Sequence, residues 1–295
     1  MMDASRNALV ILGMHRSGTS ALAGCFARLG FAPPRQVLDA SDDNPSGFYE
    51  SAPVVLANHE LLQMVGAHWN NCFNFDPARL AGSVTGAKTT ELAAMLAAAF
   101  PPGRPFVLKD PRMCVLLPVW ARVLAHMGVT ARTLLMLRHP AEVAGSLVKR
   151  NGLPATAVAA LTLHHMLEAE RATRAGPRAL LSYDELLGDW RALVRRAAGE
   201  TGLSLPRDMA AAAAEIDGFL NHAARHHHAR PGAEMPGAET VARLLGQAWA
   251  ALLFLARAPG DGMSLAVLDH VHGEFRAMRR SGALMALIME EAAEG

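Results

Sequence analysis

The sequence is poor in several things, and each shortage narrows its function. It has only three cysteines in 295 residues, Cys25, Cys72 and Cys114, widely separated and without Cys-x-x-Cys spacing. That excludes a disulfide framework and a cysteine zinc site, suits a reducing cytosol and predicts a cytoplasmic protein. Long apolar runs are missing: stretches such as 248–256 fall well short of the roughly 20 residues that span a bilayer, so no transmembrane segment is expected. Ala8-Leu9-Val10-Ile11-Leu12 runs straight into a glycine-bearing polar loop with no small-residue cleavage site, and does not read as a signal peptide. Net charge is also missing, with 28 basic against 27 acidic side chains, which argues against a broad basic face for nucleic acid. Lysine is scarce: Lys88, Lys109 and Lys149 stand alone, and the other basic residues are arginine. A GC-rich coding sequence would give the same bias. No repeat at solenoid periods is present.

What is there is a foldable chain, 51% hydrophobic and 19% charged, long enough for one large α/β domain or two small ones. Residues 8–12, 106–108, 132–137 and 178–182 read as short apolar strands. Helical patterns cover 19–29, 53–66, 88–99, 113–127, 140–150, 154–174 and 184–202, and 32–52 reads as loop. Strands alternating with helices predict a parallel sheet covered on both faces. After Leu205 only helical segments follow, at 207–220, 239–257 and 263–291. The expected division is therefore an α/β core over 1–205 and a helical C-terminal region over 206–295, packed on that core. The apolar face around 276–289 leaves room for a peripheral membrane contact, although such a face is usually packing.

The strongest chemical signal is Gly13-Met14-His15-Arg16-Ser17-Gly18-Thr19-Ser20 between the first strand and the first helix. A loop there presents backbone N–H groups to an anion and adds the helix dipole. Gly13 permits a sharp turn, Gly18 a close backbone approach, and Thr19 and Ser20 add hydroxyls. The glycines have the spacing of the nucleotide P-loop G-x-x-x-x-G-K-[ST], but Thr19 stands where its lysine belongs and the cation is Arg16, inside the loop.

That loop resembles the 5′-phosphosulfate loop of sulfotransferases that use 3′-phosphoadenosine 5′-phosphosulfate (PAPS), in which arginine is a familiar alternative to lysine in bacterial members. The resemblance continues in order. Arg138-His139-Pro140, with Ser146 eight residues beyond Arg138, is similar to the element that holds the 3′-phosphate. Asn44-Pro45-Ser46-Gly47-Phe48-Tyr49-Glu50-Ser51 and Leu108-Lys109-Asp110-Pro111-Arg112 fit the bacterial branch. Leu181-Ser182-Tyr183-Asp184-Glu185-Leu186 resembles the family's Tyr-Glu-Asp-Leu stretch, whose tyrosine commonly touches the nucleotide. The family's late Arg-Lys-Gly element, found in members acting on phenols and steroids, has no counterpart after residue 200; Arg225 and Arg230 are nearby cations.

The resemblance implies a P-loop-like three-layer fold and transfer of a sulfuryl group from PAPS to a hydroxyl or amine of a carbohydrate, glycolipid, peptide or secondary metabolite. Cofactor contacts would be Gly13, His15, Arg16, Ser17, Gly18, Thr19, Ser20, Arg138, Ser146 and Tyr183. Arg16 and Lys109 would neutralise the charge that builds during transfer, so no metal is required. Glu50 leads as general base, with Asp110 and His15 behind it. Each has a plainer alternative: Glu50 as a helix cap, Asp110 as an orienter of Arg16 or Lys109, His15 as loop structure. Arg112, Phe48 and Trp69 are candidate acceptor contacts, for a small-molecule or glycan acceptor. His222 and His226-His227-His228 read as a polar linker or phosphate-facing patch rather than a metal site. The competing readings are a P-loop kinase, with Asp110 on magnesium, and a nucleotide-binding module without catalysis.

Overall fold

The computed structural model describes residues 7–38, 47–221 and 233–294. Among these, the four strands β1 (Asn7–Leu12), β2 (Phe106–Lys109), β3 (Thr130–Leu137) and β4 (Arg178–Ser182) form one parallel sheet in the order β2-β1-β3-β4. The register pairs Ile11 with Lys109, Leu12 with Leu135 and Leu137 with Ser182, so all four strand ends share one rim. Side chains alternate across a strand, and here both faces are dry. Ala8, Val10 and Leu12 point into one hydrophobic layer and Leu9 and Ile11 into the other, all fully buried.

The Leu9/Ile11 layer is covered by α1 (Thr19–Arg28), α8 (Tyr183–Gly188), α9 (Trp190–Thr201) and α10 (Met209–Asn221). The opposite layer holds α2 (Ala52–Gln63), α3 (Pro77–Ser83), α4 (Gly86–Ala99), α5 (Met113–His126), α6 (Pro140–Asn151) and α7 (Ala155–Thr173), with a 3-10 turn at Cys72–Asn74. The same layer takes in α11 (Glu239–Arg257), α12 (Gly262–Ser281) and α13 (Ala283–Glu294), so the helices after residue 205 share hydrophobic cores with the sheet. The architecture is three-layered α/β.

Topology places a crevice beside the loop that follows β1. The chain leaves β1 toward α1 on one face and leaves the adjacent β3 toward α6 on the other. Loops that diverge above neighbouring parallel strands open a cleft at their C-terminal ends, the usual ligand position in open α/β sheets.

Three local expectations are corrected. The segment 184–202 is two helices, because Asp189 (φ −148°, ψ 83°) leaves helical geometry and its carboxylate caps α9 through the Ala192 N–H. The segment 263–291 is likewise broken, at Gly282 in the left-handed region (φ 80°). Helix α3 was not anticipated; Asp76 caps it through the Ala78 N–H and Pro77 occupies its first turn, but seven residues are too few to show a period. No helix among the described residues is long and apolar enough to cross a membrane.

Candidate active site

The loop after β1 is shaped by alternating backbone handedness. Gly13 (φ 151°), Arg16 (φ 68°) and Gly18 (φ 93°) have positive φ, with negative φ between them. Such alternation turns successive N–H groups toward one concavity. Gly13 cannot be replaced without displacement, since a Cβ there would lie 2.8 Å from the Met136 carbonyl oxygen and 2.7 Å from Ser17 Oγ. A Cβ on Gly18 would run into the Tyr183 ring. The loop is tied inward: the Gly13 N–H donates to Cys114 Sγ (3.1 Å), and Ser17 Oγ donates to the Met14 carbonyl (2.6 Å).

Helix α1 then begins at Gly18 with no side-chain cap and no acidic residue in its first turn. Helices α3, α4, α8, α9 and α12 are each capped by an Asp, Thr or Ser side chain, whereas α2, α5, α7 and α11 share the uncapped start of α1. An uncapped N-terminus at a strand-end crevice offers its N–H groups and dipole to an anion.

The segment from Arg138 to Ser146 meets the loop here. Arg16 Nε donates to Ser146 Oγ at 2.9 Å, across 130 residues of sequence. Arg138 Nη1 donates to the Arg16 carbonyl (2.9 Å), and its Nε pairs with Glu142 (2.8 Å). The Arg138 guanidinium lies 4.7 Å from the Tyr183 ring centre, so Tyr183 joins the cluster through Arg138 and Gly18. The left-handed turn at residue 16 goes with an Arg16 side chain that runs to Ser146 of α6, so Arg16 and Arg138 stand side by side.

Lys109, at the end of β2, faces the loop from the other side. Its Nζ donates to Glu50 Oε1 (2.5 Å), the Phe48 carbonyl (3.1 Å) and Ser20 Oγ (3.3 Å), and Ser20 Oγ also reaches the Phe48 carbonyl (3.3 Å). Phe48 thus enters through its backbone. Glu50 is buried, and its second oxygen lies 3.7 Å from Arg112 Nη1. Burial pushes the Glu50 carboxyl above the ordinary carboxylate range, against the opposing pull of Lys109 and Arg112. Asp110 orients neither Arg16 nor Lys109: fully buried, it accepts from the Arg112 backbone N–H (2.9 Å), and both its oxygens take Arg112 Nη1 at 2.9 Å. Thr19 is buried in the first turn of α1.

His15 projects from the loop toward the α2–α3 side. Its ring centre lies 5.1 Å from Trp69 and 6.2 Å from His165, and its Nε2 is buried with no partner among the described residues. Burial, then the charge of Arg112, hold the imidazole well below its ordinary value, so it is neutral at pH 7. Trp69 is half-exposed against the loop; the fully buried tryptophan is Trp120, which donates to Asn58 Oδ1 (2.7 Å). Sequence reasoning missed His165, held by burial at about 4, and the Asp110–Arg112 clamp. Two histidines, His164 and His165, inside an apolar helix were the available signal for the former.

Asn44, Pro45 and Ser46, Arg225 and Arg230, and His222 with His226–His228 lie outside the described residues. Among the described residues no group of three or more His, Cys, Asp and Glu side chains is placed to hold a metal ion.

No protein-family model matches the sequence, and no curated protein matches it. Solved structures to which the chain is similar include a sulfotransferase domain from the Synechococcus PCC 7002 olefin synthase: 16% identity, 83% of this chain, 95% of that one, TM-score 0.46. Another is a sulfotransferase domain from the curacin biosynthetic pathway, at 14% identity, 68% and 75% coverage, and TM-score 0.38. A sulfotransferase of Mycobacterium tuberculosis H37Rv gives 14%, 75% and 72%, and 0.41. The chain is thus similar, at low identity, to sulfotransferase domains.

Proposed function

We propose that the protein is a sulfotransferase that uses PAPS and acts on a hydroxyl or amine of a small-molecule or glycan acceptor. The observation that carries this reading is the meeting of two anion-binding elements above β1 and β3, through the 2.9 Å contact of Arg16 with Ser146 and that of Arg138 with the Arg16 carbonyl. A nucleotide with phosphates at both its 5′ and 3′ positions needs two such elements side by side, and a nucleoside triphosphate does not. The donor set fits that ligand: an uncapped helix N-terminus, two hydroxyls in the first turn, and the cations Arg16, Lys109 and Arg138 on one rim. Asp110, the residue a kinase would need for magnesium, is taken up by Arg112.

PAPS supplies the activated sulfuryl group: a bond forms from sulfur to the acceptor oxygen or nitrogen, and the bond to the 5′-phosphate oxygen breaks, its electron pair leaving on adenosine 3′,5′-bisphosphate. Lys109 and the loop N–H groups stabilise charge that grows on the phosphate side, which matters most in a loose, in-line displacement. Glu50 takes the acceptor proton; its raised affinity for protons suits a base working near neutrality. Lys109 holds Glu50 in place from 2.5 Å, and Asp110 holds Arg112 toward the acceptor side. Trp69 and His15 would form the acceptor wall nearest the loop.

Thermal-shift titration with adenosine 3′,5′-bisphosphate, against ATP with magnesium, tests the reading. Stabilisation by the bisphosphate is expected. A response to ATP with magnesium alone would transfer the site to phosphoryl chemistry, and bisphosphate binding without transfer to any member of a wide acceptor panel would leave a non-catalytic module.

A further inference from the structure

A second concentration of cations lies away from the phosphate loop, between α3 and the end of α12. There a cavity of about 640 Å³ is lined by Arg79 of α3 and by Arg276, Arg279 and Arg280 of α12, with Asp76 and Phe75 among the other walls. Positions 276, 279 and 280 share a helix face, so three like charges crowd one surface, an arrangement that repels itself. Elsewhere on the protein Arg174, Arg191, Arg207 and Arg243 each sit within 2.6–2.7 Å of a carboxylate. Arg79, Arg276 and Arg280 form no ion pair among the described residues. The one acidic lining residue, Asp76, already uses Oδ1 to cap α3.

The fourth arginine is fixed in advance. Arg279 Nη1 donates to the carbonyls of Phe73 (2.8 Å) and Phe75 (3.0 Å) and lies 3.4 Å from His164 Nδ1. Its Nε is buried with no partner among the described residues. Burial disfavours its charge, Glu168 and Asp76 oppose that, and the charges of Arg276 and Arg280 add to it.

We propose that this cleft binds a small ligand carrying at least two anionic groups, phosphate, sulfate or carboxylate. Two groups would engage both elements that supply the cations, Arg79 from α3 and the others from α12. Arginine forks suit such oxyanions, often through paired hydrogen bonds. The volume lies in the range of small-molecule sites. The assignment is independent of sulfuryl transfer, although the wall is continuous with the loop: His15 touches His165, and neighbouring His164 touches Arg279.

Calorimetric titration with inorganic pyrophosphate tests it, on the wild-type chain, an Arg276→Gln/Arg280→Gln double variant, Arg79→Gln, and Arg138→Ala. The three substituted cleft arginines are exposed, so these changes leave the core intact, and affinity for adenosine 3′,5′-bisphosphate reports separately on the phosphate loop. The double variant is expected to weaken a pyrophosphate component tenfold or more, and Arg79→Gln to weaken the same component. Arg138→Ala should leave it in place. A change below threefold in the double variant, loss of all pyrophosphate binding in Arg138→Ala, or no pyrophosphate binding at all would overturn the proposal. So would arginine-dependent binding to vesicles of phosphatidylcholine and phosphatidylserine without pyrophosphate binding, which would make the patch a membrane contact.

Discussion

The rim above the sheet has two halves built on different electrostatic plans. On the β2 side Lys109 bonds Glu50 and Arg112 bonds Asp110, with Glu50 also 3.7 Å from Arg112. Two cations and two carboxylates, all but excluded from water, neutralise one another. On the β1/β3 side Arg16 bonds a serine hydroxyl, and Arg138 bonds a backbone carbonyl as well as the buried carboxylate of Glu142. A buried, balanced quartet holds geometry and tunes protons; removing one member leaves the opposite charge stranded in a medium that cannot solvate it. Hydroxyls and carbonyls exchange more readily for a ligand's oxygens. The proposed function thus asks the β2 half to stay intact and the β1/β3 half to take a bound anion.

The hardest way to break this contrast is at Lys109. Lys109→Met keeps the stem and deletes the charge, removing both the counterion of Glu50 and the cation facing the loop. Sulfuryl transfer, followed by formation of adenosine 3′,5′-bisphosphate, should fall by about a thousandfold. A tenfold loss or less would show that the quartet is structural only. Glu50→Gln comes next. It should lower kcat roughly a hundredfold with KM little changed, and should abolish the acid limb of the pH–rate profile. The sign follows from its environment: a base at this position acts deprotonated, burial raises the proton affinity of Glu50, and activity is therefore expected to fall as pH drops through a value above the ordinary carboxylate range. An unchanged acid limb in the variant would pass the role to His15 or another group.

Arg138 sharpens the other half. Arg138→Ala should weaken adenosine 3′,5′-bisphosphate about ten- to a hundredfold, the worth of a charge-assisted contact, while leaving adenosine 5′-phosphate nearly untouched. Calorimetry reads both. Equal losses for the two ligands would remove Arg138 from the 3′ position and make its contact with the Arg16 carbonyl the whole of its role.

The two halves also differed in how much of them could be read beforehand. The glycines, Arg16 and the small hydroxyls of the first loop are legible because only certain residues permit left-handed turns and offer donors to an anion. The strands were legible because their runs are apolar on both faces. The side-chain partners were not. Asp110 and Arg112 are two residues apart in a turn, where no periodicity says that they face each other. Arg16 reaches Ser146 because of a left-handed backbone at a non-glycine residue, which composition does not signal. Breaks at Asp189 and Gly282 were hidden because apolar spacing runs on across them, and the backbone turn there is set by single residues.

The principle of the β2 half recurs in a place that has no part in the proposed chemistry. Glu168 of α7 is buried and bonded to His272 Nε2 (2.9 Å) and Arg171 (2.8 Å). Burial alone would raise its carboxyl, but these partners hold it down at about 2. A carboxylate whose folded value lies below its ordinary 4.5 stabilises the fold above pH 4.5. That contribution drains away as pH falls from there toward 2, because the folded state gives up its charge later than the unfolded one. Shifts of this size correspond to roughly 3 kcal/mol at neutral pH. Glu168→Gln should therefore lower the urea midpoint at pH 7, and the gap from wild type should narrow to about half as the pH is taken from 5 to 3. A gap independent of pH over that range would mean that the packing of the side chain, and not its charge, is what α7 needs at this position.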